Sequence, residues 1–160
     1  MKVLGIDPGI EITGFAVIET NGATQVLLHC GVIRTSKELT TSERLCIIQE
    51  DLQSILSQHT EIECVGVEEL FFSKNAKTAF VVGQARGVIL LTLEQAKIPL
   101  VEVKPVEVKS AIVGTGNAGK KEVQRMVQLL FHLDAPPQPD DAADAAAIAL
   151  TAAARYSLQK

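Results

Sequence analysis

The chain has little of what several enzyme classes require. Its three cysteines, Cys30, Cys46 and Cys64, are an odd number with no C-x-x-C pair, and its three histidines, His29, His59 and His132, are scattered. That spacing speaks against a disulfide framework and against a zinc site, and leaves the cysteines as reduced, partly buried core residues. The one tyrosine, Tyr156, stands far in sequence from every acidic motif, so a covalent tyrosyl route is not expected. No apolar run of about 18 residues is free of charge, and the N-terminus lacks a signal-sequence pattern, so a cytoplasmic protein without membrane contact is expected. Basic charge is not in excess either: 15 Lys and Arg against 19 Asp and Glu give a formal net charge of −4. Such a chain does not coat itself in nucleic acid, although a local basic face would still bind it.

What the chain does have is apolar substance. With 160 residues, 47% of them hydrophobic, it can bury a real core, and the length favours one domain over 1–160. "KVLGID" and "TGFAVIE" read as two strands joined by a Pro8-Gly9 turn, and Asn21-Gly22 leads into a third, "TQVLLHCGVI". Leu45, Ile48, Leu52, Ile55 and Leu56 recur at helical spacing, with Thr41 or Ser42 as a cap. "IECVGVEEL" then reads as a strand, "KNAKTAFVVGQARGVILLTLEQA" as a long helix and "IPLVEV" as a strand, an alternation that predicts parallel pairing. A short helix opened by Pro105, a longer one over 119–131 and an alanine-rich helix from about Asp140 complete the chain. Small side chains on the last would let it lie unusually close to a sheet.

Acidic residues stand at three places where ligand sites gather in an open sheet: Asp7 at the end of the first strand, Glu68 or Glu69 at the end of the fourth, and Asp141 with Asp144 at the start of the last helix. A carboxylate ending an apolar run needs a metal, a basic side chain or the N–H groups of a turn. For Asp7 the plainer role is a side-chain bond to the backbone of Gly9; for Asp140 and Asp141 it is helix capping. Asp144 lies one turn further in, where capping fails. Alternation alone leaves Glu68 and Glu69 open. Acids gathered without cysteine or histidine suit Mg²⁺ or Mn²⁺, and two such ions can cut a phosphodiester.

"GIDPGIEITGFAVI", "VEELFFSKNAKTAFVVGQARGV" and "PDDAADAAAIAL", in this order and spacing, closely resemble the RuvC family of Holliday junction resolvases, over residues 2–152. The resemblance implies a ribonuclease H-like α/β fold: a five-stranded mixed sheet, three antiparallel strands then two parallel, flanked by helices. It implies Asp7, Glu68, Asp141 and Asp144 as catalytic and metal-holding acids, two Mg²⁺ per site with Mn²⁺ as a substitute, and Phe71, Lys109 and Lys120 as DNA contacts. It further implies a homodimer built through the long helix at about 76–96, a four-way DNA junction as substrate, and a branch-migration helicase complex as partner. The expected chemistry is paired symmetric nicks in strands of like polarity, by in-line attack of a metal-activated water, leaving 5′-phosphate and 3′-hydroxyl ends.

Three competing readings have identifiable weaknesses. A nuclease for structured RNA would carry the same acids, and only substrate preference separates it. A two-lobed sugar-kinase or chaperone-type ATPase needs a second lobe that 160 residues do not provide. A junction-binding module without activity would not need all four acids. "GTGNAGKK" from Gly114 satisfies G-x-x-x-x-G-K, but Lys121 stands where a nucleotide loop needs Ser or Thr. The stretch before it also reads as helix, so a turn carrying Lys120 to a phosphate backbone is the better reading.

Overall fold

The computed structural model describes residues 1–70 and 76–159, with side chains left aside at 76–78. Five strands, β1 (Lys2–Asp7), β2 (Ile12–Thr20), β3 (Gln25–Arg34), β4 (Ile62–Glu68) and β5 (Leu100–Val103), form one sheet in the order β3-β2-β1-β4-β5. β1 pairs antiparallel with β2 and β2 with β3, while β4 lies parallel to both β1 and β5. The predicted mixed sheet is therefore the one observed. Among the described residues, five helices flank it: α1 (Thr41–Gln58), α2 (Ala76–Gln95), α3 (Pro105–Val113), α4 (Lys120–Leu130) and α5 (Asp140–Ser157).

Strand alternation divides the core in two. Leu4 and Ile6 of β1 and Val65 and Val67 of β4 face one cluster with Ile48 and Leu52 of α1 and Ala85, Ile89 and Leu93 of α2. Val3 of β1 and Cys64 of β4 face the other, with Val108, Val123 and the alanines of α5. A period of two therefore carries Gly5, Asp7, Gly66 and Glu68 to the α5 side.

The glycines on that side explain the alanine run. A Cβ at Gly5 would stand 2.1 Å from the Ala145 carbonyl oxygen and 2.5 Å from the Ala149 nitrogen. One at Gly66 would meet the Ala152 Cβ at 2.6 Å, and one at Gly14 the Asp141 carbonyl oxygen at 2.1 Å. Helix α5 thus sits almost directly on the backbone of β1, β2 and β4, which only glycine on the strands and alanine on the helix permit.

Most elements stand where local signals predict them, with a few displacements. The cap of α1 is Thr40, not Thr41 or Ser42: Thr40 Oγ1 accepts from Glu43 N at 3.3 Å, and Glu43 Oε2 accepts from Thr40 N at 2.8 Å. That reciprocal pair satisfies two otherwise orphaned donors, which outweighs the two candidates one step on. Cys64 is buried and Cys30 partly so, but Cys46 is exposed on the outer face of α1, against expectation. The histidines are less scattered than their sequence positions suggest, since β3 and the end of α1 bring His29 Nδ1 to 2.9 Å from His59 Nε2. Pro105 opens α3 as expected, and Gly114 closes it at φ 86°, so the glycine-rich stretch is a helix cap and not a nucleotide loop after a strand.

Candidate active site

The C-terminal ends of β1 and β4 lie side by side, and the start of α5 crosses above them. Asp7, Glu68 and Asp144 consequently line one cleft of about 190 Å³, together with Lys109 of α3 and Lys120 of α4. Pro105, Val108, Val123 and Ala147 make its apolar wall. Asp141 opens onto a neighbouring cleft instead, although its charge still acts on Asp7. Phe71 lies outside the described residues.

Each acid is held by its local structure. Asp7 is not the capping residue of the Pro8-Gly9 turn, because Thr13 serves Gly9: its hydroxyl donates to Gly9 O at 2.6 Å and accepts from Gly9 N at 3.4 Å. The carboxylate of Asp7 is left for another partner. Glu68 faces the cleft by strand parity, and its carbonyl accepts from Arg86 Nε at 3.1 Å while the Arg86 guanidinium also pairs with Glu102. Arg86 therefore ties α2, β4 and β5 together behind the glutamate, a role the sequence did not disclose. Asp140 and Asp141 stand in the first turn of α5, where the positive end of the helix favours them.

The electrostatics are those of crowded, poorly solvated anions. Burial, then the charges of Glu68, Asp144 and Asp141, push Asp7 up to about 8, against the opposing pull of Lys120. Burial and the charge of Asp144 push Glu68 up to about 7, with Lys109 opposing. Asp144 is raised as well, chiefly by burial, despite its hydrogen bond to Lys120. Lys120 Nζ lies 3.0 Å from Asp144 Oδ2 and 3.6 Å from Asp140 Oδ2. Partial burial alone would lower the lysine, but these acidic contacts win and raise it. A lysine in the first turn of α4, at the unfavourable end of that helix, is thus stabilised by the start of α5.

Among the described residues, no three acidic, histidine or cysteine side chains are gathered as a ready-made metal cage. The donor set nevertheless fits a hard divalent cation: it offers oxygen alone, burial and then the neighbouring negative charges push Asp7 and Glu68 toward neutrality, and a cation would offset both.

The family model described as "Crossover junction endodeoxyribonuclease RuvC" matches residues 3–152. The RuvC crossover junction endodeoxyribonuclease of Roseiflexus sp. is 48% identical over 149 residues, covering 93% of this chain and 88% of that protein. The Halothermothrix orenii counterpart is 44% identical over 160 residues, 100% of this chain and 96% of its own. The solved structure of Thermus thermophilus RuvC in complex with a Holliday junction substrate superposes with a TM-score of 0.87 at 36% identity, covering 98% of this chain and 96% of that one.

Proposed function

Because the chain belongs to the RuvC family of crossover junction endodeoxyribonucleases, we propose that it resolves four-way DNA junctions, with Asp7, Glu68, Asp141 and Asp144 as the acids that carry the reaction. The observation that supports the site assignment is the convergence of Asp7, Glu68 and Asp144 with two lysines in one cleft. We read residues 1–160 as one nuclease domain with Mg²⁺, two ions per site, as its cofactor.

Asp7, Glu68 and Asp144 would hold the metal, with Asp141 completing the anionic field at the edge of the cleft. The bound metal supplies activation of the attacking water and stabilisation of the departing oxygen. The protein's own contribution begins with protonation: Asp7 and Glu68 would shed the protons that burial and neighbouring charge retain, and would then hold the metal. Lys109 and Lys120 pair with the phosphodiester, and for Lys120 this exchanges one anionic partner, Asp144, for another. Val108, Val123 and Ala147 narrow the cleft with apolar groups, which strengthens each of these interactions by excluding water. Arg86 keeps the Glu68 backbone in place throughout.

Paired nicks in a two-fold substrate ask for two such sites related by the same axis. Helix α2 buries Ala85, Ile89 and Leu93 against the sheet, yet Phe80 is 68% and Leu91 55% exposed on the opposite side, with exposed Gly87 between them. That second apolar face supports a homodimer formed through α2.

The deciding experiment is cleavage of a synthetic mobile four-way junction beside linear duplex and structured RNA, in Mg²⁺ or EDTA, with Asp7→Asn as control. Metal-dependent paired nicks confined to the junction are expected. Cutting of RNA in preference would move the function to RNA processing, and full activity of Asp7→Asn would remove the acid scheme.

A further inference from the structure

A second cleft, of about 530 Å³, opens on the other side of the α5 N-terminus from the Lys109 and Lys120 cleft. Its walls are the β1–β2 turn (Gly9, Ile10, Glu11 and Ile12), Val81 and Val82 of α2, Asp141 of α5, and Arg44 from the first turn of α1. Arg44 is fixed there by a relay: its Nε donates to Thr35 Oγ1 at 2.8 Å, and Thr35 in turn donates to the Ile10 carbonyl. The guanidinium is therefore tied to the turn that follows Asp7, and its plane is set.

Among the described residues, Arg44 Nη2 is buried without a hydrogen-bond partner, and Arg44 makes no ion pair. Of the two acids in the cleft, Glu11 is taken by Lys37 at 2.8 Å, and Asp141 belongs to the reacting cluster. An arginine held by the Thr35 bond, with a buried donor that has no partner among the described residues, is costly unless an anion arrives. Since Asp144 lines one cleft and Asp141 the other, a DNA strand laid over the start of α5 passes from Lys109 and Lys120 to Arg44.

We infer that Arg44 is a DNA-binding residue that takes a backbone phosphate of the junction strand next to the one being cut, in the cleft between the β1–β2 turn and α2. The inference rests on the junction-resolving function proposed above. Arginine suits the task because its planar fork can hold two phosphate oxygens, and the Thr35 bond pre-orients it.

The test is junction affinity as a function of KCl with Ca²⁺ replacing Mg²⁺, for the wild-type chain, Arg44→Gln, Arg44→Lys, and Lys97→Gln as a remote charge control at the opposite end of the sheet. Arg44→Gln should weaken binding about tenfold and lower the log–log salt slope by about 1, the signature of one lost phosphate contact. Arg44→Lys should restore most of the slope, and Lys97→Gln should leave it unchanged. Thermal unfolding of each variant separates misfolding from lost contact, since a purely structural arginine would lower the melting temperature and leave the slope alone. Wild-type slope and affinity in Arg44→Gln would overturn the assignment while leaving junction resolution intact. No junction binding by the wild-type chain would instead overturn junction resolution, and Arg44's role with it.

Discussion

Replacing Asp7 with asparagine should abolish cleavage and at the same time stabilise the metal-free protein. The carboxylate is held at about 8 where its ordinary value is 3.8, by burial and by three neighbouring acids. The unfolded chain ionises this group above about pH 4, whereas the folded chain keeps it protonated until about pH 8. The folded state therefore binds the extra proton, and stability present in full below the ordinary value drains away as pH rises through that window. At pH 7 the group is roughly three pH units above its unfolded midpoint, which corresponds to on the order of 4 kcal/mol. Asparagine keeps the shape and carries no charge, so it should recover much of that amount, shifting the melting temperature by about 10 °C at neutral pH. Urea denaturation in EDTA at pH 4.5 and pH 7.5 reads the effect directly. The two proteins should be similar at the lower pH and diverge at the higher, and Mg²⁺ should close the gap by stabilising the wild type more. Equal stability at pH 7.5 would show that neither burial nor the neighbouring acids hold the Asp7 proton, and the case for a cation among them would lose its electrostatic support.

Other outcomes follow from the same geometry. Apparent Mg²⁺ affinity, measured by calorimetry in buffers of differing ionisation heat, should rise with pH from 6 toward 8 with proton release, because Asp7 and Glu68 must deprotonate to bind. Gly14→Ala should slow junction cleavage severely, since its Cβ would stand 2.1 Å from the Asp141 carbonyl oxygen and push the start of α5 away; single-turnover rates on a junction measure it. Leu91→Arg, at an exposed position of α2, should give a folded monomer by sedimentation that still binds DNA weakly but makes no paired nicks. Thr40→Ala should cost about 1 kcal/mol in urea denaturation through loss of the α1 cap and leave the cleavage rate unchanged.

Most of the fold was legible in the chain because its signals were local: alternating strands, the Pro105 start of α3 and the periodicity of α1 each reported the element that formed. What was not legible depended on pairs of elements. Glu68 and Glu69 could not be told apart from one strand, yet parity with Gly66, a glycine needed under an alanine helix, would have named Glu68 as the residue on the α5 side. Neither Arg86 nor Arg44 lies in an acidic motif, so the sequence does not point to them; one holds the backbone of Glu68 and the other is oriented by Thr35. The alternative role for Asp7, a simple cap of its turn, is closed for a similar reason, since Thr13, across the turn, takes both groups of Gly9.

The glycine and alanine positions connect packing to chemistry. With ordinary side chains at Gly5, Gly14 and Gly66, α5 would ride several ångströms higher on the sheet, near the distance usual for a helix on a strand layer. Asp141 and Asp144 would then rise with it, while Asp7 and Glu68, fixed to strand ends, would stay. The burial and, after it, the repulsion that push Asp7 and Glu68 toward neutral pKa values would both relax, and with them the affinity for a divalent cation. The small residues are therefore part of the site although none of the three glycines lines the cleft of Asp7, Glu68 and Asp144: they set the height at which two acids meet two others, and so decide whether four carboxylates form one charge cluster or two unrelated pairs.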